Sequence, residues 1–438
     1  MTPVTAEEYL IPLDDRPANR LFVEQVYRIG APHGKLHLPP RNLLGRLYTP
    51  GDSDRIIEWL EKRVKSKDTV FVSVDMWLYG GLVASRTSGI EGPVLQRRLE
   101  RLAALSTRGV TVHVLATVPR LSLRTSPDQA PHETAISKWA AKADLPSVTE
   151  MLAALRSEER IPLPEGVPQE IVQEYLEVRE RNVDTIVKLI RLCGEGSIDS
   201  LILGQDDSNK TGLHQGEQAR LREEIRSGNL SHKVKLLSGI DELSMDMVSG
   251  YLAQKAGITP SVRVVYSEPD AAAKIPPLES LPLAEMIEQH LELAGARLEQ
   301  SEKADLDLYV YVPYAQPWKV PGEERRPEAE AFVERVREAQ LSGRSVAVAD
   351  LSLVNRMDPF LAESSLEKLS LPELEGFASW NTPANTAGTV IAQLVCHQIA
   401  ERAPGWTIYQ RVECDKTHVA FMFARFIDDY AYQTVVRD

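Results

Sequence analysis

The pattern that decides the fold is clearest at residues 201–209, which read Leu-Ile-Leu-Gly-Gln-Asp-Asp-Ser-Asn. The aliphatic run is continuous and is bounded by polar residues, which predicts a buried strand of a parallel sheet. Two adjacent carboxylates follow it, and ligands bind at the carboxyl ends of such strands. The alternative is a polar turn in which Asp207 or Ser208 caps the next helix.

Apolar runs that end in polar residues recur along the chain. We predict strands at 9–13, 36–38, 69–74, 110–118, 201–203, 234–237, 262–266, 306–312, 345–349 and 376–379. Segments with helical apolar spacing lie between many of them, as at 53–65 and 168–192. This alternation predicts an α/β protein with mostly parallel sheets flanked by helices.

Two arrangements of such a chain are compatible with the pattern. We favour two Rossmann-like lobes with a cleft at the strand C-termini, and the alternative is a (β/α)8-type barrel with extra elements. The expected domains are an N-terminal lobe at 1–268 with a helical insertion around 121–165, a Pro-rich linker at 269–282 and a C-terminal lobe at 283–438. No repeat with a period of 20–50 residues is visible.

Composition and charge limit the partners. The 438 residues carry a formal net charge of -13 at pH 7, which argues against binding to nucleic acid or to an anionic membrane. The three cysteines are far apart in sequence, and the N-terminus lacks the features of a signal peptide. We therefore expect a cytoplasmic protein with no nucleic-acid or membrane partner, and homo-oligomer formation stays open.

Polar residues that follow the predicted strands form the candidate site. Carboxylates dominate these positions, which helix capping explains only in part. The catalytic candidates are Asp14, Asp15, Asp75, Asp206 and Asp207. The substrate-binding candidates are Arg16, Tyr79, Arg86, Arg120, Gln205, Asn209, Glu242, Asp350, Trp380, Asn381 and Asn385.

Three functions are compatible with this set of residues. In the first, paired aspartates cleave a glycosidic bond while arginines, amides and aromatic rings hold the sugar. In the second, the same aspartates bind Mg²⁺ or Mn²⁺ in a metal-dependent hydrolase. In the third, the residues bind a small solute without catalysis. We favour a carbohydrate or glycoside hydrolase without a cofactor, in which Asp206 or Asp207 works with Asp75 or Asp15.

Some of these residues also have structural interpretations. Arg16 can form an internal ion pair with Asp14, and Asn381 and Asn385 suit the start of a helix. Asp241 is expected to cap the helix that starts with Glu242. Gly80-Gly81 favours a turn over a phosphate-binding loop. The chain has no P-loop, GxGxxG, HExxH or GxSxG motif, and its scattered histidines argue against zinc catalysis.

Several motifs, taken in order, resemble a known family. They are Ile11-Pro12-Leu13-Asp14-Asp15-Arg16-Pro17, Asp75 with Tyr79-Gly80-Gly81-Leu82-Val83-Ala84-Ser85-Arg86, Gly204-Gln205-Asp206-Asp207-Ser208, Asp241-Glu242, Trp380-Asn381-Thr382 with Asn385, and Asp428-Asp429-Tyr430 with Tyr432-Gln433. Over almost its whole length the chain resembles the DUF4127 family of uncharacterised bacterial proteins. It departs from the family pattern at Ser379, at Ile240 and near Arg356. The resemblance implies a shared polar framework, but it does not distinguish the three functions.

Overall fold

The computed structural model describes residues 6–87, 89–124, 126–313, 318–319 and 321–437, so the first five residues, part of the signal-peptide argument, lie outside it. The strands are β1 (Glu8–Ile11), β2 (Leu36–His37), β3 (Thr69–Ser73), β4 (Thr111–Val118), β5 (Ser200–Gln205), β6 (Val234–Ser238), β7 (Ser261–Tyr266), β8 (Arg297–Leu298), β9 (Leu306–Tyr311), β10 (Val346–Asp350) and β11 (Gly376–Ala378). The α-helices are α1 (Leu21–Gly30), α2 (Ser53–Glu61), α3 (Gly92–Thr107), α4 (Glu133–Ala140), α5 (Val148–Arg156), α6 (Gln169–Gly194), α7 (Leu213–Ser227), α8 (Leu243–Ala256), α9 (Leu283–Leu293), α10 (Arg326–Leu341), α11 (Pro359–Lys368), α12 (Pro383–Arg402) and α13 (Ile408–Arg425).

Contacts between residues divide the chain into two units. Unit 1 takes in the chain up to Arg20 together with Leu36–Ile240, and unit 2 takes in Leu21–Lys35 and the chain from Asp241 onward. These limits differ from the sequence-based division at 269–282. The reason is tertiary: β7 precedes the Pro-rich stretch but pairs with β9, and α8 and α1 both pack on α12.

Unit 1 contains a six-stranded sheet in which every pair of neighbours is parallel, in the order β2-β1-β3-β4-β5-β6. The chain leaves β1 for β2 on one side and returns to β3 on the other. The point where strand order reverses therefore lies between β1 and β3, which is where ligands bind in open α/β sheets. Alternate residues of the strands, such as Val72, Val114 and Leu203, form a core with the apolar faces of α2, α3 and α6.

The predicted insertion after β4 contains α4 and α5. It forms a small apolar core with the first half of α6, centred on Trp139 and Tyr175. The Tyr175 hydroxyl donates a hydrogen bond to the carbonyl oxygen of Leu121 at 2.8 Å. This bond attaches the beginning of the insertion to α6.

Unit 2 contains a five-stranded parallel sheet in the order β11-β10-β9-β7-β8. Read from the other edge, the order is β8-β7-β9-β10-β11. The strand order therefore reverses between β7 and β9, as it does between β1 and β3 in unit 1. The predicted class, α/β with parallel sheets flanked by helices, is confirmed, and the barrel alternative is wrong because the strands form two open sheets. Strand β8 and the helices α7, α11 and α13 were not predicted. Within the described ranges, no helix is both long and apolar enough to cross a lipid bilayer.

Candidate active site

The turn after β3 positions Asp75 beside the point where the strand order of unit 1 reverses. Residues Asp75–Tyr79 form a π-helical turn that ends at Gly80, whose φ is 92°. A Cβ atom at Gly80 would lie 2.6 Å from the carbonyl oxygen of Gly51, so the position requires glycine. Single π-helical turns are frequent at functional sites.

Asp75 is buried, with 4% of its surface exposed. Thr117 Oγ1, at the end of β4, donates a hydrogen bond to Asp75 Oδ2 at 2.7 Å. Burial raises the pKa of Asp75 to about 6, although the hydroxyls of Thr117 and Ser85 and the charge of Arg86 act in the opposite direction. The Asp75 carboxyl group therefore changes its protonation state near pH 6, about two pH units above an ordinary aspartate.

Arg86 connects Asp75 with the carboxylates that follow β5. Its Nη2 pairs with Asp206 Oδ2, and both side chains are almost buried. Burial lowers the pKa of Arg86, while the charge of Asp206 acts to raise it. We define the Arg86 cluster as Asp75, Arg86, Arg120, Asp206 and Asp207.

A second ion pair forms the accessible side of the Arg86 cluster. Arg120 Nη1 lies 2.8 Å from Asp207 Oδ2, and these side chains are 28% and 30% exposed. Burial and the neighbouring charge of Asp206 raise the pKa of Asp207. The cluster thus combines a buried carboxyl group, a buried ion pair and a partly exposed ion pair.

Arg179 on α6 and Glu217 on α7 support the loop that carries Arg120. Arg179 Nε and Nη2 bind the two carboxylate oxygens of Glu217 at 2.7 and 2.5 Å, and both side chains are buried. Arg179 Nη1 also donates to the carbonyl oxygen of Arg120 at 2.7 Å. Neither residue was predicted, since each lies inside a helix with no turn motif to indicate a role.

Asp14 and Arg16 lie next to the Arg86 cluster at the end of β1. Arg16 Nε donates to Asp14 Oδ2 at 2.8 Å, so the predicted internal ion pair is confirmed. A Cβ atom at Gly81 would lie 3.8 Å from Asp14 Cβ, which shows that this loop contacts the turn after β3. The charge of Arg16 also acts on Arg86. Asp15 pairs with a different arginine.

Three other predicted residues of unit 1 have their side chains engaged elsewhere or exposed. Tyr79 is buried, donates to a threonine hydroxyl of α6 at 3.2 Å and has Arg181 over its ring. The Gln205 side-chain carbonyl accepts from a glutamine of α7 at 2.7 Å. Asn209 is exposed, and its carbonyl oxygen lies 2.8 Å from His214 Nε2.

Two expectations about helix starts are corrected. Helix α7 has Gly212 at its N-cap position, so capping by Asp207 or Ser208 is wrong. Helix α8 has Glu242 rather than Asp241 at that position. In both cases the chain continues beyond the strand end before the helix begins, which local capping preferences do not reveal.

Glu242, Asn381 and Asn385 lie together in unit 2. Asn385 Nδ2 donates to Glu242 Oε2, and Asn381 Nδ2 donates to Asn385 Oδ1 at 2.5 Å. Asn385 also completes the capping box of α12 with Thr382, which confirms the predicted helix start. Glu242 is fully buried, and burial raises its pKa to about 8.

His290 and Asp246 extend this group into the interior of unit 2. His290 Nδ1 lies 2.7 Å from Asp246 Oδ2, and His290 Nε2 lies 3.7 Å from Glu242 Oε1. Burial acts to lower the pKa of His290, but the two carboxylates outweigh it and the pKa is raised. Glu242 was already a candidate because it follows a predicted strand. For Asp246 the only sequence signal was its four-residue spacing from Glu242.

The side chains of Asp350 and Trp380 form hydrogen bonds that stabilise loops of unit 2. Asp350 accepts hydrogen bonds from the main-chain N–H groups of Ser352 and Asp358 at 3.0 and 2.9 Å. Ser379 Oγ, at a position that departs from the family pattern, donates to Asp350 at 2.7 Å. Trp380 Nε1 donates to a threonine of α12 at 3.0 Å. Both predicted residues hold the loops at the carboxyl ends of β10 and β11.

Fold and site together define an α/β protein with parallel sheets and a cluster of aspartates and arginines beside a strand-order reversal. The model of the family described as "Protein of unknown function (DUF4127)" matches residues 9–438, so the chain belongs to this family. No curated protein matches it. Among solved structures, a GH5 family lichenase from Caldicellulosiruptor sp. F32 aligns with 77% of this chain and 83% of its own, at 10% identity and a TM-score of 0.14. At so low a TM-score, this match supports no conclusion about fold or activity.

Proposed function

We propose that the Arg86 cluster is the catalytic centre of a hydrolase that cleaves glycosidic bonds. The observation that carries the proposal is Asp75, a buried carboxyl group held by Thr117 beside the Arg86–Asp206 ion pair. Its pKa of about 6 keeps roughly a tenth of this carboxyl group protonated at pH 7 and about half at pH 6, far more than for an ordinary aspartate, as a general acid requires. Asp206, paired with a guanidinium group, supplies the second carboxylate of the two that glycoside hydrolysis uses.

In the proposed reaction, protonated Asp75 gives its proton to the leaving glycosidic oxygen as the bond to the anomeric carbon breaks. By one route the Asp206 carboxylate bonds to that carbon, and water then hydrolyses this glycosyl ester while Asp75, now ionised, takes the water's proton. By the other, Asp206 takes a proton from a water molecule as that water attacks the carbon directly. Asp207 and Arg120, on the accessible side, would bind sugar hydroxyls. Arg16 and Asn209 are both exposed and belong to the loops that follow β1 and β5, where a substrate would be held.

The arginines favour this proposal over a metal-dependent hydrolase. Arg86 and Arg120 already supply positive charge to Asp206 and Asp207, which is the electrostatic role that Mg²⁺ or Mn²⁺ would have there. A metal-dependent hydrolase and a non-catalytic solute-binding protein would each give a different result in the assay described next.

The test is hydrolysis of a panel of nitrophenyl glycosides, including N-acetylated sugars, with and without EDTA. We expect turnover that survives EDTA. Asp75→Asn should lower kcat for 4-nitrophenyl glycosides by about 10²- to 10⁴-fold, the usual contribution of a general acid. It should largely spare kcat/KM for 2,4-dinitrophenyl glycosides, because this quantity reports the bond-breaking step and their leaving group needs no proton, whereas Asp206→Asn should abolish both reactions.

Asp144→Asn is the matched control, since Asp144 is an exposed aspartate of the insertion. Turnover that EDTA abolishes and Mn²⁺ restores would replace the proposal with the metal-dependent hydrolase. Stabilisation by a sugar without turnover would favour solute binding. Unchanged turnover in both Asp75→Asn and Asp206→Asn would refute the assignment of the Arg86 cluster.

A further inference from the structure

A second group of ligand-type side chains lies at the amino end of β11, in unit 2. Among the described residues, Glu375, His397 and Glu401 are the one set of three potential metal ligands in which one atom from each lies within 4.8 Å of the others. His397 and Glu401 are four residues apart on α12 and so share a helix face. Glu375 immediately precedes β11, and its side chain is buried.

Carboxylates flank the imidazole of His397, one within hydrogen-bonding distance and one beyond it. Its Nδ1 lies 2.7 Å from Glu375 Oε2, and its Nε2 lies 3.9 Å from Asp415 Oδ1 on α13. The neighbouring His418 stacks on the ring of His397 at 4.0 Å, but its own Nε2 lies 2.7 Å from a main-chain carbonyl oxygen. His397 is therefore the histidine of this group that is available as a ligand.

The group carries more negative than positive charge. Three carboxylates, those of Glu375, Glu401 and Asp415, surround one imidazole. A bound dication would offset the repulsion between these carboxylates, and the exposed side chains of Glu401 and Asp415 give it access from solvent.

Gln398 borders the group and donates hydrogen bonds to two of its carboxylates. It is 1% exposed, its Nε2 lies 3.3 Å from Glu401 Oε2, and its amide also interacts with Glu375. Its Oε1 has no hydrogen-bond partner among the described residues. Rotation of the amide by half a turn exchanges oxygen and nitrogen and would direct the oxygen, a metal-ligand atom, into the group.

We propose that Glu375, His397 and Glu401 bind a divalent first-row transition-metal ion, Zn²⁺ or Mn²⁺. One imidazole nitrogen with carboxylate oxygens suits these ions better than Mg²⁺ or Ca²⁺, which prefer oxygen ligands alone. Nδ1 of His397, which already faces Glu375, is the ligand atom. Asp415, whose Oδ1 lies 3.9 Å from Nε2, is the carboxylate placed to become the outer partner of the ring when the metal binds, as carboxylates are at many histidine–metal sites.

The test is Zn²⁺ binding by EDTA-treated, dialysed protein, measured by competition with a fluorescent chelator. We expect one tight equivalent in the wild-type protein. Asp415→Asn should weaken binding by about 10- to 100-fold, as loss of an outer partner does, and Glu401→Gln at least as much. Mg²⁺ and Ca²⁺ at the same concentration should not displace Zn²⁺.

Glu373→Gln is the matched control, because Glu373 is an exposed glutamate two residues before Glu375. Equal thermal stability of Glu373→Gln and Glu401→Gln in EDTA would show that both variants fold. Absence of stoichiometric Zn²⁺ binding, or equal affinity in Glu401→Gln and Glu373→Gln, would overturn the proposal. The result is independent of the Arg86 cluster, since none of these residues belongs to it.

Discussion

Replacing Asp75 by asparagine should change how the stability of the protein depends on pH. Asparagine keeps the size of the side chain and can still accept the hydrogen bond from Thr117, but it cannot ionise. In the wild-type protein, Asp75 has a pKa of about 6 in the folded state against an ordinary value of 3.8. Ionisation of Asp75 therefore destabilises the folded state, and this cost is absent in Asp75→Asn.

The magnitude follows from the two pKa values. One pKa unit corresponds to about 1.36 kcal/mol, so the fully ionised Asp75 costs the folded state about 3 kcal/mol. The folded protein binds the proton more tightly than the unfolded chain, so stability falls as the pH rises from about 3.8 to about 6 and is constant above that range. About half of the cost, roughly 1.4 kcal/mol, develops between pH 5 and pH 8.

The assay is urea unfolding of both proteins at pH 5 and pH 8, followed by tryptophan fluorescence. We expect the free energy of unfolding of Asp75→Asn, relative to wild type, to increase by about 1.4 kcal/mol from pH 5 to pH 8. The exposed control Asp144→Asn should show no such change. An equal difference at the two pH values would refute the conclusion that burial raises the pKa of Asp75.

Three further predictions concern other buried groups. Glu217→Gln should lower the free energy of unfolding by about 3–5 kcal/mol in urea titrations, because it leaves the buried charge of Arg179 without its partner; a loss below 1 kcal/mol would contradict this. Gly388→Ala should lower the melting temperature, since its Cβ would lie 2.5 Å from Glu242 Cγ and 2.8 Å from Asp246 Oδ2; an unchanged value would show that the helices separate at little cost. Burial raises the pKa of all three cysteine thiols, so native protein should not react with a thiol reagent at pH 8 and urea-unfolded protein should react at all three; labelling of the native state would contradict the burial.

Much of the secondary structure could be predicted because strand and helix patterns are local. The apolar run before Gln205 and the spacing of apolar residues along α6 predicted their elements directly. Short or weakly patterned elements were missed: β8 has two residues, and α7 has a largely polar surface. The position of Asp75 after a strand was also evident, but the π-helical turn that buries it was not.

The candidate site was predicted in its residue types and only partly in its grouping. Asp75, Arg86, Arg120, Asp206 and Asp207 form one cluster in unit 1, as the common edge of parallel strands implied. The remaining predicted residues separate into structural roles, exposed positions and a second buried group in unit 2. The local pattern, a polar residue after an apolar run, is alike in all of these cases. Only the tertiary partners of each residue distinguish one role from another.

The sequence by itself determined the class of fold and the residue types at the strand ends, because apolar periodicity and turn chemistry act over a few neighbouring residues. Only the tertiary structure decided the strand order, the division of the chain after Ile240 and the pairing of Arg86 with Asp206, which are 120 residues apart. It also decided the raised pKa of Asp75, since desolvation depends on everything that packs around the carboxyl group. Contacts between distant residues arise from the packing of the whole unit, and no local pattern encodes them.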